Sequence, residues 1–473
     1  MRDLGHFYIG GQWVAPVVPR FLDVENPATE AVAGRIAMGG PADVDCAAAA
    51  ARQAFATWSR STIAERLALI EAIIAEYARR AADLADAVTE EMGAPIALSR
   101  GAQVPLGTSH FTTAHAALKD FAFASQAGAT RIVREPIGVC ALITPWNWPL
   151  HQIACKVAPA LATGCTMILK PSEVAPFSGQ IFAEILHAAG VPAGVFNMLH
   201  GDGPGVGIPL CTHADIDMVS FTGSTRAGIE VAKNAAVTVK RVTQELGGKS
   251  ANILVDDAGF PAAVKRGVAA VMNNSGQSCN APTRMLVPHS RMDEAAALAG
   301  EVAARMTVGE PDGEAQIGPV VSRAQFEIIQ GLVRVGIGEG ARLVAGGLGR
   351  PQGLESGHFA RPTVFADVDN GMVIAQTEIF GPVIAIIGYH DEADAIRIAN
   401  DSDFGLAAYV QAADPVVAER IALQLRAGQV SINGAWDITA PFGGYRMSGN
   451  GREWGETGFH EFLETKAVLG CPA

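Results

Sequence analysis

The sequence predicts an α/β protein built as two α/β lobes, and three observations carry that reading. Its 473 residues are too many for one hydrophobic core, so two or three domains are expected. From Gly138 onward, short apolar segments of strand length alternate with helical segments. A second alternating series begins at Ser250 and runs to about Val430. Such an order implies parallel strands, because parallel neighbours need crossover connections, and the crossovers cover the sheet faces with helices.

The first forty residues set turn signals (Gly10-Gly11, Asn26-Pro27, Gly39-Gly40) between short β-prone pieces. Pro41 then opens an Ala-rich helix to about Trp58. A second helix starts at Thr62, whose hydroxyl can cap while Glu65 closes a capping box. Leu67, Ile70, Ile74, Tyr77, Leu84 and Val88 step by three, four or seven, which predicts one long helix with one buried stripe. Met92-Gly93-Ala94-Pro95 ends it. VCALIT reads as a strand, the stretch after Pro149 as a helix, TMILK as a strand, and Ser178 to Ala189 as a helix. VFNML, a helix around Gly205–Leu210 and DMVSFTG continue the first series, while SANILV and a helix over Pro261–Asn273 open the second. No internal repeat or low-complexity linker interrupts the chain.

Composition narrows the class. At 49% apolar, 18% charged and 6% aromatic, with 52 Gly and 26 Pro, the chain reads as an ordinary globular protein. A net charge of −13 argues against nucleic acid as a partner, since phosphate backbones need a basic face. No apolar run reaches the roughly 18–20 residues that span a bilayer, so no membrane partner is expected. The start MRDLGHFYIGGQWV lacks the charged-then-apolar order of a signal peptide. Seven cysteines, at 46, 140, 155, 165, 211, 279 and 471, are scattered without a C-x-x-C pair. They read as reduced thiols of a cytoplasmic protein, and none has the spacing of a metal site. Asn273-Asn274-Ser275 matches the glycosylation pattern by chance.

A parallel sheet invites a nucleotide at the carboxyl ends of its strands. GDGPGVG (Gly201 to Gly207) fails the dinucleotide spacing, and GGKS at 247–250 lacks the first glycine of a phosphate loop, having Thr243 there. FTGSTRAG (Phe221 to Gly228) is better: a strand runs into Gly-Ser-Thr at a helix start, where backbone N–H groups favour phosphate. LKPSE (Leu169 to Glu173) sets Lys170 and Glu173 just past a strand that is expected to adjoin the first, within reach of a ribose. NNSGQSCNAPTR places Cys279 among amides and small residues, where Gly276 allows a tight exposed turn between a helix and a strand. A thiolate is the reactive form of cysteine, and no histidine base lies nearby in sequence. VTQELGGKS offers Glu245 instead, a strand-end carboxylate able to activate the thiol or a water. TPWNWP holds Asn147 on a loop stiffened by two prolines, a good position for an oxyanion donor. Thiol, carboxylate and amide on strand-end loops suggest acyl chemistry through a thioester.

TPWNWP, KPSE, FTGST, ELGGKS, GQSC, EIFGPV and PFGGYRMSGNGREWG occur in that order. With these motifs the chain resembles the aldehyde dehydrogenase superfamily of the hydrolytic, NAD(P)-dependent kind, over nearly its whole length. The resemblance implies that Cys279 attacks the aldehyde, that Asn147 holds the oxyanion, and that Glu245 activates water against the thioester. Lys156 and Glu453 match a pair linked to proton traffic near Glu245, a structural ion pair being the alternative. Glu378 and Phe380 match positions that hold the nicotinamide ribose and ring. Lys170 and Glu173 match adenosine-ribose contacts, Ser224 beside Gly223 a pyrophosphate contact, and Thr144, Trp146, Ser172, Leu246 and Gly247 complete the implied cofactor site. Glu173 would repel a 2′-phosphate, so NAD is favoured and NADP is the alternative. The implied fold has two Rossmann-like lobes plus a small β oligomerisation arm. The cofactor-binding lobe would take residues 1–113 and 136–246, the catalytic lobe 247–447, and the arm and tail 114–135 and 448–473. The arm would be a hairpin over Ala114–Glu135 completed by a strand near Phe462–Leu469, making a homodimer or homotetramer.

The substrate tunnel implied by the resemblance is unusual in this chain. Cys155 stands where a bulky aromatic is common, and His151 and Gln152 where apolar residues are usual. Trp148 and Trp436 would give it aromatic walls, and Ser278 and Asn280 flank the nucleophile. The expected substrate is a medium-chain, aromatic or semialdehyde-type aldehyde, apolar near the reacting carbon and polar at the far end. No arginine falls in these segments, so a strong carboxylate clamp is not expected. The alternatives are a semialdehyde dehydrogenase with one specific oxo-acid substrate, a coenzyme A-acylating enzyme, which Glu245 argues against, and a non-catalytic member, which intact Cys279 and Asn147 argue against.

Overall fold

Five parallel strands form the centre of one sheet, in the order Arg241–Glu245, Met218–Thr222, Val139–Ile143, Thr166–Lys170 and Phe196–Met198. Short antiparallel strands extend both edges, Gly449–Asn450 on one side and Phe7–Ile9 with Gln12–Val14 on the other. The structure is a computed structural model in which residues 2–472 are described. All five residues of Val139–Ile143 are buried, as are those of Met218–Thr222, because helices cover both faces. That is why these strands read as unbroken apolar runs. The helix Pro149–Thr163 is buried along its whole length, packed against the helices Ile63–Arg79 and Val104–Asp120.

The second sheet has seven strands, in the order Arg342–Ala345, Thr363–Ala366, Val383–Tyr389, Arg284–Pro288, Ala251–Leu254, Ala407–Gln411 and Gln429–Ile432. Only Arg342–Ala345 runs antiparallel to its neighbour. Two smaller antiparallel-containing sheets complete the chain: Arg2–Leu4, Val32–Ala37 and Phe21–Glu25, and then Ala124–Ala127, Thr130–Pro136 and Leu463–Leu469. The two-lobed α/β reading therefore holds, with a separate three-stranded β element. The strands Val139–Ile143, Met218–Thr222 and Arg241–Glu245 are mutually parallel, so their carboxyl ends open on one rim.

Several sequence expectations change. The helix after Thr62 forms its capping box as read, but it ends at Arg79, and Arg80 (φ −100, ψ 8) breaks the axis before a separate helix over Ala81–Met92. Its buried stripe includes Ile73, with Ile74 only half-buried. Ala114–Asp120 is not hairpin: it is the last part of the helix Val104–Asp120, because Phe111, Ala114 and Leu118 pack into the core at helical spacing. The hairpin starts at Ala124. The strands before FTGST and KPSE are not adjacent, since Val139–Ile143 runs between them. Gly203–Gly207 is a wide π-type turn, and the helix itself is Ile208–Thr212.

Candidate active site

The Cys279 segment is not an exposed turn. Asn274, Ser275, Gly276 and Gln277 are buried, because their amides satisfy one another and the neighbouring loops inside the protein. After the helix Phe260–Met272, Asn274, Ser275 and Gly276 all take left-handed backbone (φ 53, 57 and 74). A Cβ on Gly276 would lie 2.0 Å from the Gly381 carbonyl oxygen, so only glycine fits there. Asn274 Nδ2 donates to the carbonyls of Asn147 (2.9 Å) and Gln277 (3.2 Å), and Gln277 Oε1 accepts from the Val321 N–H (2.9 Å).

Asn147 follows the strand Val139–Ile143 on the two-proline loop and is held from several sides. Its carbonyl accepts from Gln103 Nε2 (3.1 Å) as well as from Asn274, and its own Nδ2 donates to the Gln277 carbonyl (3.1 Å). One N–H of the amide remains for a ligand. Trp148 Nε1 donates to Ser278 Oγ (2.8 Å), which ties the loop to the residue before the nucleophile.

Glu245 ends its strand in the interior, and neither carboxylate oxygen has a hydrogen-bond partner among the described residues. Burial, reinforced by the charge of Glu453 and opposed by Lys156, raises its pKa well above the ordinary carboxyl range. Lys156 is fully buried and pairs with Glu453, while also donating to Ser220 Oγ (3.0 Å). Cys155 Sγ donates to the other Glu453 oxygen (3.3 Å). Burial pushes the Cys279 thiol up, and the nearby charges of Glu378 and Glu245 add to this. Cys279 is thus a neutral thiol at rest, beside a carboxylate with high proton affinity.

Two cavities meet at the nucleophile. The inner cleft, about 360 Å³, is lined by Trp146, Asn147, Gly223, Ser224, Glu245, Leu246, Gly247, Glu378 and Phe380. The outer cavity, about 270 Å³, is lined by Trp148, His151, Ser278, Asn280 and Trp436. Cys279 and Gln152 line both. The inner cleft suits a dinucleotide. Ser224, which lines the cleft, caps the helix Thr225–Ala235, so the start of that helix borders the cleft, and Thr222 Oγ1 is buried there without a partner among the described residues. A Cβ on Gly247 would lie 2.3 Å from Glu378 Oε2, so the backbone leaves the Glu378 carboxylate its space. Glu378 accepts from the Gly248 N–H (3.1 Å), and burial pushes its pKa up to about 7. Phe380 sits in left-handed backbone (φ 56) edge-on to Trp146, with ring centroids 5.4 Å apart.

Thr144, Lys170, Ser172 and Glu173 do not line this cleft. They cluster one strand farther along the rim, where Lys170 Nζ donates to Glu173 Oε2 (3.0 Å) and the Thr144 N–H donates to the Lys170 carbonyl (3.1 Å). Lys156 and Glu453 touch neither cavity and act on Glu245 by charge. Sequence reasoning missed Thr222, Gln325, Ile328 and Ile379 in the inner cleft, and Leu106, Tyr409, Phe442 and Trp454 in the outer cavity. Phe442 and Trp454 stack at 4.2 Å with an interplanar angle of 11°. Both belong to PFGGYRMSGNGREWG, so the segment was visible but its aromatic wall was not. Gln103 was invisible, being an isolated polar residue far from any motif.

Residues 13–468 match the model of the aldehyde dehydrogenase family. The chain is 56% identical to a 3-succinoylsemialdehyde-pyridine dehydrogenase of Pseudomonas sp, over 99% of both chains. It superposes with a TM-score of 0.98, at 53% identity, on a mutant of aldehyde dehydrogenase C from Pseudomonas syringae in complex with NAD+ and octanal, covering 99% of this chain and 97% of that one. An NAD+ complex of a Mycobacterium tuberculosis aldehyde dehydrogenase follows at 41% identity and a TM-score of 0.96, with 99% and 98% covered. With Cys279, Glu245 and Asn147 all lining the inner cleft and Cys279 reaching the outer cavity as well, the chain belongs to the aldehyde dehydrogenase family.

Proposed function

We propose that the protein oxidises an aldehyde to its carboxylic acid with NAD+, through a thioester on Cys279. The observation that carries this reading is the position of Cys279 where the two cavities join, near a buried Glu245 whose oxygens have no partner among the described residues. The aldehyde enters from the outer cavity. Cys279 Sγ adds to the carbonyl carbon and its proton passes to Glu245, directly or through water. The carbonyl oxygen becomes an alkoxide held by the free N–H of Asn147 and the Cys279 backbone N–H. A nicotinamide held in the inner cleft by Glu378 and Phe380 would supply the acceptor for the hydride lost from that carbon. After that first proton has passed from Glu245 to solvent, the carboxylate takes a proton from water as the hydroxide adds to the thioester; the tetrahedral adduct then collapses to the acid and the Cys279 sulfur leaves as thiolate.

Glu378 and Phe380 would hold the nicotinamide end, Gly223 and Ser224 the pyrophosphate, and Lys170 with Glu173 the adenosine ribose. A carboxylate at Glu173 disfavours a 2′-phosphate, so NADP should serve less well. For domain roles we take residues 1–123 and 137–246 as the cofactor lobe, since the helix Val104–Asp120 packs into its core, and 247–447 as the catalytic lobe. The hairpin Ala124–Pro136 with Leu463–Leu469 would serve as the oligomerisation arm of a homodimer or homotetramer. The seven free cysteines suit a reducing, cytoplasmic setting.

For the substrate we favour a ring-bearing or semialdehyde-type aldehyde. The outer cavity has walls of Trp148, Trp436, Phe442 and Trp454 and no arginine or lysine. The 56% relative is named for a pyridine ring and a semialdehyde on one substrate. C279A should bind NAD+ with unchanged affinity and form no NADH from any aldehyde; residual turnover would remove the covalent mechanism. Product analysis with added coenzyme A should show free acid only, and an acyl-coenzyme A product would favour the acylating reading.

A further inference from the structure

His151 lines the outer cavity and is backed by a second histidine, His110, and the oxidation itself uses neither. His110, on the helix Val104–Asp120, and His151, on the helix Pro149–Thr163, are both buried. Nε2 of His110 lies 2.8 Å from Nδ1 of His151. The His151 ring stands edge-on to Trp454, with centroids 5.3 Å apart and an angle of 77°. His151 lines the outer cavity alone, whereas Gln152 next to it also borders the inner cleft. Gln152 therefore adjoins the reacting carbon, and His151 faces a part of the substrate farther out.

Burial lowers both imidazoles, His110 well below its usual value and His151 to about 4, so each carries one N–H at neutral pH. With the proton of His110 on Nε2, that nitrogen donates to His151 Nδ1. That donation leaves the His151 proton on Nε2, which has no partner among the described residues. Of the other donors of this cavity, Trp148 Nε1 is engaged with Ser278 Oγ and the Tyr409 hydroxyl with the Asn280 carbonyl, while Trp454 Nε1 has no partner among the described residues.

We propose that His151, oriented by His110, is a specificity-determining donor to a neutral ring nitrogen on the outer part of the aldehyde substrate. The inference rests on the ring-bearing substrate class argued above. A carboxylate would meet no cation in this cavity, and a neutral imidazole offers it one hydrogen bond where a guanidinium offers two. His110 is a positioning residue: it selects the tautomer and does not touch the substrate.

The test compares kcat/KM for 4-(pyridin-3-yl)butanal and 4-phenylbutanal, which share shape and differ by one acceptor. The wild-type enzyme should prefer the pyridyl aldehyde by about tenfold, the worth of one buried hydrogen bond. H151F, which keeps a ring against Trp454, should bring that ratio close to one, and H110F should lower it by allowing both His151 tautomers. NAD+ binding checks that each variant is folded, with H151L replacing H151F if it is not. A wild-type ratio near one, or a ratio unchanged in the His151 variant, would overturn the inference while leaving the substrate class intact. Preference for 4-(trimethylammonio)butanal over both would also overturn it, by making the aromatic walls a cation site. Oxidation of octanal with neither ring aldehyde accepted would instead sink the substrate class itself.

Discussion

Glu245 is held at a cost to the fold, and that cost is its function. A carboxylate with both oxygens buried and unpartnered is destabilising when charged, and its high proton affinity is what a general base for thiol and water needs. In E245Q the burst of NADH should form more slowly, because the thiol loses its base, yet still reach one equivalent per active site; the acyl-enzyme then persists and steady turnover falls by about 10²–10⁴-fold, as expected for loss of a general base. Rapid-quench mass measurement of the thioester checks this, and full turnover without accumulation would exclude the role. The wild-type deacylation rate should rise with pH through a pKa above the ordinary carboxyl range, and E245Q should lack that limb. Stability follows with a definite sign. The folded pKa of Glu245 lies above its unfolded value, so folding favours the protonated form, and its contribution is lost as pH rises through the folded pKa. The Tm of E245Q should therefore gain on the wild type as pH increases.

Between residue and fold, the left-handed turn Asn274–Gly276 decides where the nucleophile points. Replacing Gly276 by Ala would require a Cβ 2.0 Å from the Gly381 carbonyl oxygen and a side chain at φ 74. We expect G276A to be destabilised by about 1–3 kcal/mol, seen as a lower Tm, and to lose kcat through misplacement of Cys279. Unchanged kcat would mean the turn tolerates relocation. Elements were legible where the signal was local. The helix Pro41–Trp58 and the Thr62–Glu65 capping box follow from residues three or four apart. The break at Arg80 was not legible, because Arg80 is an ordinary helix former and its ties to Asp83 and Glu184 (2.6 and 3.1 Å) exist only in the folded chain. Ala114–Asp120 misled in the other direction, since a family expectation displaced a helical period that Phe111, Ala114 and Leu118 carry.

For the whole molecule, the tail ties the lobes and the arm together. Leu463–Leu469 pairs with Thr130–Pro136 over its full length, and Arg241 Nη1 donates to the carbonyls of Glu461 (2.9 Å) and Leu463 (2.7 Å). The outer strand Ala124–Ala127 is exposed throughout, and Leu469 is 77% exposed, so this sheet presents apolar surface and an open edge. Sedimentation of the full chain should give a dimer or tetramer, and truncation after Phe462 a smaller species. A monomeric full chain would remove the arm from the assembly.

The sequence by itself determined the alternation of strands and helices, and hence a parallel sheet with a strand-end site. It also determined the identities of thiol, carboxylate and amide, because these depend on local periodicity and on residue chemistry. Tertiary structure decided which groups meet. Gln103 reaches Asn274 across 171 positions, His110 reaches His151 across 41, and Cys279 gains its place between two cavities only when both lobes close on it. Contacts of that separation leave no period in the chain, since packing selects partners by shape and unsatisfied hydrogen bonds, and neither exists before the fold does.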